Sequence, residues 1–236
     1  MPHGQPHEVA WVGDELLEGP IRGVVMCFHG LGGTGLKTEP DDWDREMAAL
    51  GALMVMPYYG PWSWMNRQAR EMVDVLIADL YAQHGLDPAT VPLVFTGGSM
   101  GGGAALLGVR YTRHHPVACY ANVPMCDLVY HFGERPDLPR TIYSAFAGYE
   151  GEMADLLAEH SPLHQVDQMP DIDYLIVQGD ADEAVKKSVH ADRMVPAMRE
   201  RGRRVEYLEV PGAGHGGPWP EWVHDKAREF MVKALG

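Results

Sequence analysis

The sequence predicts a three-layer α/β domain, a mostly parallel twisted sheet with helices on both faces. Short β-like runs alternate along the chain with stretches of helical spacing. Several of those runs are apolar almost throughout, as strands buried on both faces must be. At 236 residues the chain has the length of one such domain with a well-buried core.

Strands are expected at Glu8–Val12, Gly23–Phe28, Leu53–Pro57, Val91–Thr96, Val117–Val123, Ile172–Gln178 and Val205–Val210. Helices are expected between them, over Asp42–Leu50, Arg67–Gln83, Ser99–Tyr111, Ser188–Arg201 and Trp219–Leu235. In the second helix Ala69, Met72, Val73, Leu76, Ile77 and Leu80 recur at helical spacing and form one apolar face. About fifty residues separate the strand ending at Val123 from the one beginning at Ile172, an unusual length for a connection. Residues 125–168 are read as a small cap over the end of the sheet, the alternative being a surface crossover without a part in chemistry.

Composition narrows the partners. A formal charge of −14 disfavours nucleic acid and anionic membranes, both of which need a basic face. No apolar run approaches the ~20 residues of a membrane helix, and Met1–His7 shows neither the basic start nor the apolar centre of a secretory signal. Cys27, Cys119 and Cys126 are scattered, with neither a disulfide framework nor a zinc spacing, so a cytoplasmic setting without a metal or cofactor is expected.

The chemistry concentrates in four places. Gly97-Gly98-Ser99-Met100-Gly101 follows an apolar strand and opens a helix of small residues, the setting in which Gly-x-Ser-x-Gly reads as a nucleophile elbow. A serine hydroxyl needs a base, and the base an orienting acid. Downstream, a strand ends in Gln178-Gly179-Asp180-Ala181-Asp182-Glu183-Ala184-Val185, and the next in Pro211-Gly212-Ala213-Gly214-His215-Gly216. His215 is the candidate base. Asp182 is preferred as the acid on the Gly-x-x-Asp-x-x-Val spacing, with Asp180 and Glu183 read as solvated turn residues. The negative charge that develops on a substrate carbonyl needs donors. The backbone amide of Met100 and, from the strand-end sequence His29-Gly30-Leu31-Gly32-Gly33, that of Leu31 are the candidates. Taken alone, the glycine-rich 30–35 stretch would also serve as a flexible turn or a phosphate loop, but the P-loop and dinucleotide spacings are absent.

These elements, in this order, resemble the α/β-hydrolase superfamily, most nearly its small serine esterases and its dienelactone-hydrolase-like and prolyl-oligopeptidase-like domains. The resemblance implies about eight strands with the second antiparallel, and a Ser99–His215–Asp182 triad at the carboxyl ends of the strands. Ser99 stands where dienelactone hydrolases carry cysteine. The loop Pro57-Tyr58-Tyr59-Gly60-Pro61-Trp62-Ser63-Trp64 lacks the Arg-Gly-Ser pattern of the peptidases. The expected activity is therefore hydrolysis of carboxylic esters, acetyl and feruloyl esters included. A prolyl-oligopeptidase-type peptidase and a non-hydrolytic member of the fold are the rivals.

Tyr58, Tyr59, Trp62 and Trp64 crowd one loop leaving a strand, and Trp219 follows His215 by four positions. They are the candidate substrate-binding residues for a small-molecule ester. For each of the loop aromatics, packing of the loop against the domain is the competing role.

Overall fold

The computed structural model describes residues 6–33 and 35–236. Seven strands form one sheet among them: β1 (Ala10–Val12), β2 (Gly23–Phe28), β3 (Ala52–Pro57), β4 (Leu93–Gly98), β5 (Pro116–Asn122), β6 (Asp173–Gly179) and β7 (Arg204–Val210). Their order is β1-β3-β2-β4-β5-β6-β7. Only β1 runs antiparallel, with Ala10 opposite Pro57 of β3. The mostly parallel sheet implied by the resemblance is present with seven strands among the described residues, and its antiparallel strand is the first of these in chain order.

Nine helices accompany the sheet among the described residues: α1 (Pro6–Val9), α2 (Asp42–Ala49), α3 (Arg67–Gln83), α4 (Met100–Tyr111), α5 (Leu128–His131), α6 (Leu138–Ala145), α7 (Met153–Glu159), α8 (Ala191–Glu200) and α9 (Glu221–Leu235). The expected strand at Glu8–Val12 is shorter than its sequence suggested. Pro6 has the fixed φ of a first helical residue, so a helical turn runs to Val9 and the strand starts at Ala10. The strand expected at Val91–Thr96 begins instead at Leu93, beyond Pro92, and runs on through Gly97 and Gly98. Those glycines sit in the ladder, Gly97 opposite Phe28 and Gly98 opposite Asn122.

Alternate residues of the central strands feed two cores. Val24, Met26, Phe28, Leu93, Phe95, Tyr174 and Ile176 face α3, α4 and α8, whereas Val25, Val94, Leu175 and Val177 face Met47 of α2 and Val223 and Met231 of α9. Both faces being dry, the strands carry no polar alternation, which is why they read as continuous apolar runs. The long interval between β5 and β6 is helical, comprising α5, α6, α7 and a 3-10 segment at Pro162–Gln168. It is tied to the start of α3: Trp64 Nε1 donates to Thr141 Oγ1 (3.1 Å), and Asn66 Nδ2 donates to the Ala145 carbonyl (2.7 Å). Asn66 also caps α3 by accepting from Ala69 N at 2.9 Å. Arg67 and Arg70 both pair with Glu159 at the end of α7.

Candidate active site

Ser99 is the turn between β4 and α4, at φ 60° and ψ −122°. A non-glycine residue in this region is strained and persists only where its surroundings impose it. Here Ser99 N donates to the Asn122 carbonyl (2.9 Å), and the Ser99 carbonyl accepts from Gly103 N and Met125 N (3.1 Å each). The neighbouring glycines permit the turn. A Cβ on Gly97 would overlap the Gly101 carbonyl, and one on Gly101 would overlap the Phe28 carbonyl oxygen. Gly101→Ala is therefore expected to lose about 1–3 kcal/mol or more, read as a lower urea midpoint at unchanged slope.

The serine hydroxyl lies 3.0 Å from His215 Nε2, and His215 Nδ1 lies 2.8 Å from Asp182 Oδ2. A carboxylate can only accept, so Nδ1 carries the proton and Nε2 offers its lone pair to the serine O–H. Asp182 is 5% exposed. Burial pushes its carboxyl up, but the His215 contact and the amides of Val185 and Ala184 outweigh it and hold the acid below its ordinary range. The other two acids of the loop are solvent-exposed. Asp180 accepts from Gly212 N at 2.6 Å and so fastens the acid loop to the histidine loop.

Gln178, which the sequence reading passed over, is fully buried and donates to Asp182 Oδ2 (3.1 Å) and to the Val185 carbonyl (3.2 Å). Its signal was a lone amide ending an otherwise apolar strand.

The loop at His29–Gly33 lies against the elbow, since a Cβ on Gly30 would stand 3.9 Å from Ser99 Cβ. His29 folds into its own loop, with Nδ1 donating to the Gly30 carbonyl at 2.8 Å, and burial lowers its basicity. Leu31 is half-buried beside it. Met100 is the first residue of α4, so its N–H has no acceptor within its own helix.

The aromatic loop divides. Tyr58 and Trp62 are half-buried and line a cavity of about 340 Å³ between the loop, α3 and α6. Tyr59 is buried at its edge and donates its hydroxyl to the His29 carbonyl (2.6 Å), which braces the glycine loop. Trp64 departs from its expected role. It is 2% exposed, bonded to Thr141 and packed edge-on to His131, so its ring serves the core rather than a substrate. Trp219 borders a separate cavity of about 330 Å³ with Trp43 and Tyr120, beneath Gly97 and Gly98.

One cluster escaped the sequence reading because its members are far apart in the chain. His131, Glu134 and His190 bring ligand-type atoms within 4.8 Å of one another. His190 Nδ1 accepts from both Cys126 N and Asp127 N at 3.1 Å, which places its proton on Nε2. Metal ligation through Nε2 needs the opposite tautomer, so the trio does not fit a metal. Within the trio His131 Nδ1 donates to Glu134 Oε2 at 2.7 Å, and His190 Nε2 stands 3.5 Å from the same oxygen.

Sheet order, elbow and loop placement together define an α/β-hydrolase. Its sequence matches the Prolyl oligopeptidase family over residues 65–235, and the chain belongs to that family. No curated protein matches the sequence. Among solved structures, a Mycobacterium tuberculosis puromycin-hydrolyzing peptidase superposes with a TM-score of 0.71 at 22% identity, over 93% of this chain and 35% of that one. Porphyromonas gingivalis dipeptidyl peptidase 4 gives 0.72 at 16% identity, over 95% of this chain and 33% of its own. Thermogutta terrifontis esterase 2 gives 0.68 at 19% identity, over 93% of this chain and 85% of its own. At these identities the likeness is one of fold. The chain spans about a third of the length of the two peptidases. No helix among its described residues is long and apolar enough to cross a membrane.

Proposed function

We propose that the chain hydrolyses carboxylic esters through an acyl-enzyme, with Ser99 as nucleophile, His215 as general base and Asp182 as its orienting acid. The hydrogen-bonded run from Ser99 Oγ through His215 to Asp182 carries this reading. His215 Nε2 takes the serine proton as Oγ attacks the ester carbonyl, while the amides of Met100 and Leu31 receive the developing oxyanion. Asp182 stabilises the imidazolium, which then protonates the departing alcohol. Water, deprotonated by His215, releases the acid. The helices of residues 125–168 form a cap that walls the site beside the aromatic loop.

Correspondence to the esterase over 85% of that chain supports the ester reading. The family match favours a second, amide cleavage of peptidase type. A 4-nitrophenyl ester and the 4-nitroanilide of the same acyl group distinguish them. The proposal expects the ester to be turned over with the higher kcat/KM by far more than its greater intrinsic reactivity, and equal or better anilide turnover overturns it.

Asp182→Asn keeps an acceptor for the Ala184 and Val185 amides but turns an N–H toward His215 Nδ1. That favours the wrong imidazole tautomer and is expected to lower kcat by about 10³–10⁴-fold. Steady-state kinetics at matched folded fraction checks it.

A further inference from the structure

We propose that the cavity of about 340 Å³ beside the glycine loop is a subsite for an uncharged, hydroxyl-bearing ring of the substrate. The inference rests on the ester-hydrolase reading above and goes past it by naming what the substrate carries. The chain has a formal charge of −14, yet none of the twelve residues lining this cavity is Asp, Glu, Lys, Arg or His. Its walls are the rings of Tyr58 and Trp62, the thioether of Met72, the amide of Gln68 and the hydroxyls of Ser63 and Ser144.

Some of those polar groups are already committed. Asn66 uses both ends of its amide on backbone, and Ser63 Oγ accepts from Met65 N at 3.3 Å. Gln68, Ser144 and the Tyr58 hydroxyl have no hydrogen-bond partner among the described residues. Gln68 and Ser144 are exposed and leave the cavity open to solvent, but an ion set against its floor would meet no countercharge among the lining residues, whereas a neutral ring needs none. A flat ring gains area on the indole and phenol faces, and its hydroxyls find the amide and hydroxyl groups. A volume of about 340 Å³ lies at the small end of ligand sites and holds one ring with its substituents.

The cavity neighbours the glycine loop that flanks the reacting centre. Pro61, in its wall, accepts from Gly32 N at 2.7 Å, Tyr59 holds the His29 carbonyl, and Gly30 abuts Ser99. A phenolic acyl group and an acetylated sugar share the required chemistry, and the two are separable by experiment.

The test compares kcat/KM for 4-nitrophenyl acetate, 3-(4-hydroxyphenyl)propionate and 3-(4-carboxyphenyl)propionate, with acetylated glucose as the sugar arm. The hydroxyphenyl ester is expected to exceed the acetate about tenfold, and the carboxyphenyl ester to lose that advantage. Trp62→Ala, which removes a wall, and Ser144→Trp, which fills the cavity, should each cut the hydroxyphenyl-to-acetyl ratio about fivefold or more. Acetylated glucose outpacing the acetate with the same sensitivity to both variants assigns the ring as a sugar. A ratio unchanged in both variants, or a carboxyphenyl ester as good as the hydroxyphenyl one, overturns the subsite. Binding of methyl 3-(4-hydroxyphenyl)propionate to the Ser99→Ala protein, measured by calorimetry and lost in Ser144→Trp, reads the subsite without catalysis. Failure of Ser99 to take a fluorophosphonate label would sink the hydrolase reading instead.

Discussion

Ser99→Ala is expected to lower kcat toward a 4-nitrophenyl ester by about 10⁴–10⁶-fold while leaving the fold intact. Removal of the nucleophile from a serine triad leaves only binding and oxyanion stabilisation, which accounts for that range. The fold should survive because the hydroxyl's recorded partner is His215, on a half-exposed loop, and the turn itself is held by backbone bonds to Asn122, Gly103 and Met125. Alanine bears the same positive φ that serine does. Coincident melting curves and absent fluorophosphonate labelling complete the measurement. Wild-type-like turnover in the variant would show that another group performs the attack.

Stability is expected to fall steeply as the pH drops from about 6.5 toward 4. Burial lowers His131, His160 and His190 from 6.5 to about 4 each, so all three are neutral in the folded protein near pH 7. The unfolded chain takes up their protons below about 6.5, and the folded chain resists doing so until about 4. Within that window the unfolded state binds more protons, and stability declines by about 1.4 kcal/mol per pH unit for each histidine. The charged neighbours do not reverse the sign. His131 faces Arg135 as well as Glu134 and Asp137, His160 lies between Arg70 and Glu159, and His190 adjoins His131 and Glu134. Glu159, held down to about 2 against its burial by Arg67, His160 and Arg70, begins to lose its own contribution as the pH falls below about 4.5 and has lost most of it by about 2. Urea midpoints at pH 7.5, 6, 5 and 4.5 check the slope, and a flat profile across them contradicts it.

The elbow, the histidine loop and the strand pattern were legible because each is local. Strand, tight turn and helix follow one another within Leu93–Tyr111, and the glycines at 97 and 101 announce the close approach that the Phe28 carbonyl requires. Among the three acids the spacing favoured Asp182, and the buried turn that folds its carboxylate under the amides of Ala184 and Val185 places it against His215. The first strand was overextended because Glu8 and Val9 alternate as a strand does, while Pro6 starts a helical turn that no alternation reveals.

The aromatic loop shows the limit of such reading. Four rings within seven residues look alike in sequence, yet Trp64 is spent on Thr141 and His131, Tyr59 on His29, and only Tyr58 and Trp62 are left half-exposed on a cavity wall. The partners that separate them are distant in the chain: those of Trp64 come from α5 and α6, some seventy residues on, and that of Tyr59 from the loop after β2, thirty residues back. The His131–Glu134–His190 group and the Gln178 contact have the same character. Periodicity and turn chemistry in the chain alone were enough for the layered sheet, the serine turn and the order of the reactive loops, since these depend on neighbours a few residues apart. Which side chains face the cavity, which tautomer His190 holds and which polar groups stay unpaired were settled by packing between distant segments, because burial and hydrogen-bond partnership belong to the assembled core and not to any one stretch of it.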